Sequence, residues 1–143
     1  MNIRLFKIND YDEVYDLWKS TAGMGLRSQD DSLEGIEKFL ARNPNTNYIA
    51  LIDDKIVGVI MAGNDGRRGY IYHLAVKESY RRKKIASKLV NKCLESLKAE
   101  EINKVALVAY SDNKVGNDFW HKLGFIQRDD LVYRNLSLNE ENI

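Results

Sequence analysis

Hydrophobic and polar positions change period several times along the chain, and each change marks an element. Residues 2–8 (NIRLFKI) alternate and predict a first strand, with Ile3 and Leu5 on the face opposite Arg4, Phe6 and Ile8. Asn9 or Asp10 then caps a helix over 11–20, where Val14, Leu17 and Trp18 recur at helical spacing until Gly23-Met24-Gly25. Ser32 caps a second helix with Leu33, Ile36, Phe39 and Leu40 as its stripe and Pro44 beyond its end. Residues 47–53 (NYIALID) and 55–63 (KIVGVIMAG) predict a hairpin turning at Asp53-Asp54. A further strand follows at 69–76 (GYIYHLAV).

The period then lengthens. From Arg81 to about Ala99, residues Ile85, Leu89, Val90, Cys93, Leu94 and Leu97 share one face of the strongest helix in the chain. Residues 104–110 (KVALVAY) are nearly all apolar and predict a central strand. A short helix over about 114–123 stops at Gly124, and two strands at 125–128 and 131–138 meet at Asp129-Asp130. The expectation is an α+β (mixed α/β) fold, a mixed, mostly antiparallel sheet of about seven strands flanked by about four helices. Residues 1–143 read as a single domain.

Composition removes several classes of function. No apolar run approaches the roughly 20 residues of a membrane span, and MNIRLFKIND carries no apolar signal core, so a cytoplasmic location and no membrane partner are expected. One cysteine and two histidines offer neither a disulfide framework nor a metal site. Cys93, on the apolar helix face, reads as a core residue rather than a nucleophile. The net charge of +1 argues against a protein built on nucleic-acid neutralisation. That total conceals an asymmetry. Residues 1–63 carry seven basic and ten acidic side chains, net −3, whereas 64–143 carry fifteen and eleven, net +4. Six basic residues and one acid fall within Lys77–Lys88.

A basic loop entering a helix joins unpaired amides, a positive dipole end and cationic side chains, which suits a phosphate or pyrophosphate. The bland reading is a solvated basic helix start, but four successive cations at a helix N-terminus are unfavourable without a reason. No dinucleotide fingerprint or P-loop is present. Leu74-Ala75-Val76, then YRRKKIASKLV at 80–90, then NKVGNDFWHKLGF at 113–125 follow in order around a βαβ unit. Together they resemble the GNAT superfamily of acyl-CoA-dependent N-acetyltransferases. Arg81-Arg82-Lys83-Lys84-Ile85-Ala86 is similar to its Q/R-x-x-G-x-G/A signature. Asn113, Gly116, Phe119, Trp120, Gly124 and Phe125 match its later pattern.

The resemblance implies acetyl-CoA as cosubstrate and an amine-bearing acceptor, a small molecule or a peptide. It places the pyrophosphate on the amides of residues 82–86, the pantetheine arm and acetyl carbonyl along the backbone of Leu74, Ala75 and Val76, and Asn113 and Phe119 beside the arm. Two positions depart from the pattern. Lys84 stands at the motif's first glycine, and Trp120 stands where a tyrosine general acid is frequent; an indole cannot hand a proton to a thiolate. The acceptor amine must also lose a proton. The candidates for that step are His73 and Tyr72, Tyr110, and Asp65 through water. Tyr72 and His73, as neighbours on a strand, cannot both face one site without a bulge. The loop Gly23–Asp31 is expected to set acceptor selectivity, and Arg67 and Arg68 either form a plain turn or attract a carboxylate. A catalytically silent acyl-CoA-binding domain is the alternative that Trp120 suggests.

Overall fold

The alternating segments of the computed structural model, which describes residues 1–143, pair in the order in which they occur along the chain. Strands β1 (Asn2–Leu5), β2 (Tyr48–Ile52), β3 (Lys55–Asn64) and β4 (Gly69–Val76) form successive antiparallel pairs. β5 (Val105–Ala106) joins β4 in parallel. Helices α1 (Tyr11–Lys19) and α2 (Leu33–Arg42) lie between β1 and β2, α3 (Ile85–Ala99) bridges β4 and β5, and α4 (Lys114–Lys122) follows. Asp53 and Asp54 both adopt positive φ, 50° and 60°, the twist a two-residue hairpin between right-twisted strands requires. No helix is long and apolar enough to cross a membrane.

Strand alternation divides the core between the two sheet faces. Ala50, Val57, Ile60 and Ile71 meet Ile85, Leu89, Val90, Cys93 and Leu97 of α3 on one side. Ile49, Val59, Met61 and Ala75 meet Val14, Leu17 and Trp18 of α1 and Ile36 of α2 on the other. β3 is buried on both faces, which is why its sequence shows no polar alternation. Gly58 brings α3 close to it: a Cβ there would stand 3.0 Å from Leu89 Cδ1 and 3.1 Å from Ile85 Cγ2. The absent side chain therefore fixes how near the N-terminal turn of α3 lies to the sheet.

Side chains extend the ladder where β2 begins. Asn47 Oδ1 accepts the Ala62 amide at 2.9 Å, and Thr46 Oγ1 donates to the Ala62 carbonyl at 2.5 Å. Asn47 Nδ2 also donates to the Asn43 carbonyl at 2.8 Å, anchoring the end of α2. These buried polar groups are thereby satisfied rather than left as a desolvation penalty.

Four expectations need correction. The sheet has five strands rather than about seven. Residues 104–110 do not form a central strand: only Val105 and Ala106 pair, at the sheet edge, and Val108 and Tyr110 are exposed. The segments 125–128 and 131–138 form no strand, because alternation makes a segment fit for a ladder without supplying the facing partner. Instead, the final residues run back to the loop before α2, where Ser28 N donates to the Ile143 carbonyl at 2.7 Å and Asn142 Oδ1 accepts the Gln29 and Asp30 amides at 3.0 Å. Lastly, α3 starts at Ile85, not Arg81, since Arg82 and Lys84 hold positive φ.

Burial on α3 pushes the Cys93 thiol up from 9.0 to about 12. Thiolate is the reactive form. Iodoacetamide at pH 8 is therefore expected to leave the folded protein unlabelled and to alkylate the chain in urea. The unfolded chain loses this proton first, so the stabilisation is intact below about pH 9 and is lost as pH rises toward 12. Urea midpoints measured across that window should fall, and fall less steeply in Cys93→Ala.

Candidate active site

The register of β3 with β4 slips at one point, and the site is built there. Ile60 faces Leu74, but Ala62, two residues on, faces Ile71, three residues back. β4 thus carries one extra residue opposite Met61, a β-bulge. Ile71 and Leu74 both pack on the α3 side, which leaves Tyr72 and His73 together on the side of α1 and α2. The bulge supplies the condition under which two neighbours share a face. Both line a cleft of about 1,620 Å³ between β4, the Arg27–Gly35 segment, α2 and the final segment of the chain.

His73 is held from two directions. Its Nε2 lies 2.8 Å from Asp31 Oδ1, and its ring stands edge-on to the Trp18 indole with centroids 5.1 Å apart. Asp31 is buried, and its other carboxylate oxygen accepts the Arg27 amide at 2.7 Å, while the Asp31 amide donates back to the Arg27 carbonyl at 3.1 Å. Tyr11 Oη donates to the Asp31 carbonyl at 2.7 Å. A carboxylate can only accept, so it selects the tautomer with the proton on Nε2 and leaves Nδ1 with a free lone pair. Ser32 caps α2 by accepting the Gly35 amide at 3.0 Å. The loop lies so close over Gly35 that a Cβ there would stand 2.2 Å from the Gln29 carbonyl oxygen. The cap and this glycine together fix where Asp31 sits.

The tyrosines of the cleft keep their phenolic protons at neutral pH. Burial pushes the Tyr72 phenol above its ordinary value, with the Asp30 and Tyr133 charges adding to the effect. Burial raises Tyr70 as well, followed by the Tyr133 and Tyr72 charges. Neither phenol ionises near neutrality, so Tyr72 does not fit the role of base. Tyr110 is 67% exposed, and its Oη approaches Gly25 without lining the cleft. Asp65 is engaged within its own turn, where its Oδ1 accepts the Arg67 and Arg68 amides at 2.8 Å; these bonds hold its carboxyl below the usual range. Neither Asp65, Arg67 nor Arg68 lines the cleft.

The second concavity lies at the start of α3. Arg82 (φ 65°) and Lys84 (φ 61°) are left-handed, and no amide from Arg82 to Ser87 has a backbone acceptor; Lys88 is the first, donating to Lys84 O at 3.1 Å. Such turns aim successive N–H groups into an anion-binding hollow. Val76, Arg81, Arg82, Lys84, Ile85, Ala86 and Phe119, all foreseen as cofactor residues, line it, joined by Tyr80 and Ser87, which were not. The Arg-Arg-Lys-Lys run drew attention away from its flanks, although Tyr80 precedes it and Ser87 falls in the first helical turn.

Other foreseen residues lie elsewhere. Lys83 folds back over the Tyr80 ring, 5.2 Å from its centroid. The side chains of Leu74 and Ala75 pack toward α3 and α1, while their backbone, the part foreseen for the acyl arm, lies where β4 is no longer paired with β5. Asn113 caps α4, its Oδ1 accepting the Gly116 amide at 3.0 Å. Trp120 stands edge-to-face between Phe119 and Phe125, centroids 5.0 and 5.1 Å away, as a packing residue. Asp31 was missed. Sequence singled out its loop, but nothing marks a carboxylate 42 positions from the histidine it contacts.

One parallel crossover, with its helix opening on an amide-rich cradle at the open end of a bulged strand, defines the architecture of an acetyltransferase. A model of the Acetyltransferase (GNAT) family matches residues 11–125. The chain belongs to that family. It is 32% identical over 141 residues to an acetyltransferase of Sodalis glossinidius (strain morsitans), covering 99% of this chain and 98% of that one. The fold is shared with Ard1 from Thermoplasma volcanium (TM-score 0.77, 22% identity, 86% of this chain and 80% of that one). It is also shared with AAC(6')-Iy in complex with a CoA-S-monomethyl-acetylneamine bisubstrate analogue (TM-score 0.76, 16% identity, 95% and 97%).

Left-handed backbone at a non-glycine residue costs about 1–2 kcal/mol. Lys84→Gly is therefore expected to stabilise the fold by about 1 kcal/mol, seen as a rise of a few degrees in Tm. Lys84→Val, with a β-branched side chain at the same φ, should lower Tm.

Proposed function

We propose that the protein transfers the acetyl group of acetyl-CoA directly to a primary amine within a ternary complex, with His73 as the proton acceptor. The observation that carries this reading is the pair of buried Asp31 and part-buried His73 opening onto the cleft at the bulge of β4. Acetyl-CoA supplies an activated acetyl thioester. The residues at the start of α3 fit it: six successive amides without partners and the cations Arg81, Arg82 and Lys84 offer what a pyrophosphate requires.

The open edge of β4 leads from this cradle to the imidazole. Pairing with β5 stops at Tyr70, so the backbone of Tyr72–Val76 is free on that side to bind and orient an acyl group. Val76 lines the cradle and His73 the cleft, three residues apart and therefore about 10 Å. His73 Nδ1 takes a proton from the amine, and Asp31 steadies the charge that the ring acquires. Trp120 is packed among aromatic rings and donates nothing to a departing thiolate; the Tyr72 hydroxyl is the donor on the cleft side.

The test is acetyl-CoA turnover against a broad amine panel, read by CoA release, with His73→Gln and Asp31→Asn variants. His73→Gln is expected to lower kcat by about 10²–10⁴ and to remove the fall in rate on the acid side of the pH profile. Asp31→Asn should lower kcat less, since it loosens the ring without removing it. Binding of acetyl-CoA without turnover of any amine would favour a silent acyl-CoA-binding domain instead. An unchanged pH profile in His73→Gln would remove His73 as the base.

A further inference from the structure

The charges around the cleft bear on which amine enters it. The carboxylates facing it are Asp30, Asp31 and Glu34, and the cations are Arg27, Lys38 and Arg42. Asp31 is engaged by His73 and the Arg27 amide, and Asp30 Oδ2 accepts from Asn142 Nδ2 at 2.8 Å. The Glu34 carboxylate makes no hydrogen bond, and the Asn142 amide leaves the charge of Asp30 in place. None of the three cations forms an ion pair within the chain. Lys38 and Arg42 stand one helical turn apart on α2, so they project from one face along the cleft. Asp31 immediately precedes that helix and holds His73, so the proton acceptor lies at the N-terminal end of a row of cations.

We infer that the acceptor is a small amine that also carries a carboxylate. This inference rests on the amine-acetylation reading above. The carboxylate meets Arg27, Lys38 or Arg42, and the amine is left at His73 Nδ1. Guanidinium and ammonium groups recognise a carboxylate by charge-assisted hydrogen bonds, the guanidinium in a two-pronged fit. A polycationic acceptor would meet Arg27, Lys38 and Arg42, none of which has a carboxylate within ion-pair distance, and like charges brought together oppose binding. The cleft is also fenced. The final segment contributes Tyr133, Asn135 and Ser137 to its wall and is tied to the Arg27–Asp31 loop by the bonds of Ser28, Gln29 and Asp30. A compact acceptor enters such a space more readily than a folded protein surface does. The sequence suggested carboxylate attraction through Arg67 and Arg68; the cations that line the cleft are different ones.

The experiment is a turnover ladder on the full chain: ω-amino acids from glycine to 6-aminohexanoate, each beside its own primary amide, with spermidine as a polycation. The acids are expected to exceed their amides in kcat/KM by about tenfold, the effect of one charge-assisted hydrogen bond, and the advantage should shrink as salt is added. The chain length with the largest ratio reports which cation is used. Lys38→Glu and Arg42→Glu, both on the exposed side of α2, should reduce or invert the acid-to-amide ratio. If a variant fails to fold, the ratio and its salt dependence in the unaltered protein still decide. Amides or spermidine turning over as well as the acids would overturn this inference and leave amine acetylation standing. Turnover of no amine would overturn the reading beneath it.

Discussion

The extra residue in β4 is the constraint on which the rest of the site depends. A regular strand would send Tyr72 and His73 to opposite faces and place the imidazole or the phenol in the core with α3. The bulge opposite Met61 keeps Ile71 and Leu74 in that core while releasing both intervening side chains to the other side. The same slip lies just beyond the last pairing of β4 with β5, where the strand edge opens. One inserted residue thus accompanies both the acceptor-side geometry and the exposed backbone on the cofactor side.

The pair formed by His73 and Asp31 joins two parts of the molecule that the chain makes separately. Asp31 belongs to a turn closed by two hydrogen bonds with Arg27 and pressed against Gly35, so its position is set within its own loop. His73 belongs to the sheet. A buried carboxylate is tolerated only with its hydrogen bonds made, and here an amide and an imidazole make them. Removing the imidazole would leave one oxygen of a buried charge unpaired, so the interaction that orients the ring also helps hold the loop over the cleft.

Much of the fold was legible in the period of the sequence, and the reasons it stopped being legible are specific. The hairpin of β2 and β3, the two capped helices and the α3 stripe are local patterns, and local patterns carry them. Arg81–Lys84 have no apolar member to reveal whether they are helical, and the left-handed φ of Arg82 and Lys84 is what makes the helix begin four residues later than periodicity suggested. Residues 131–138 alternate well, yet a strand also needs a facing edge, and that information lies in another segment. Asp31 and the bulge share this property. Neither is visible in spacing, because each arises where distant segments meet, whereas the cradle residues at 81–86 are contiguous and could be read directly.

Contiguity also explains why the cradle is persuasive as an anion site. Arg81 to Lys84 bear two separate penalties in the same few residues: cations at the positive end of a helix dipole, about 0.3–1 kcal/mol each, and left-handed backbone at two non-glycine positions, about 1–2 kcal/mol each. Within the chain only the Tyr80 ring beneath Lys83 offsets any part of this, since none of these cations has an ion-pair partner and the amides behind them have no acceptor. A bound anion would offset both at once, neutralising the cations and accepting from the amides that the left-handed turns aim together. Strain and uncompensated charge in one short loop therefore both support the proposal that this hollow receives a group carrying multiple negative charges.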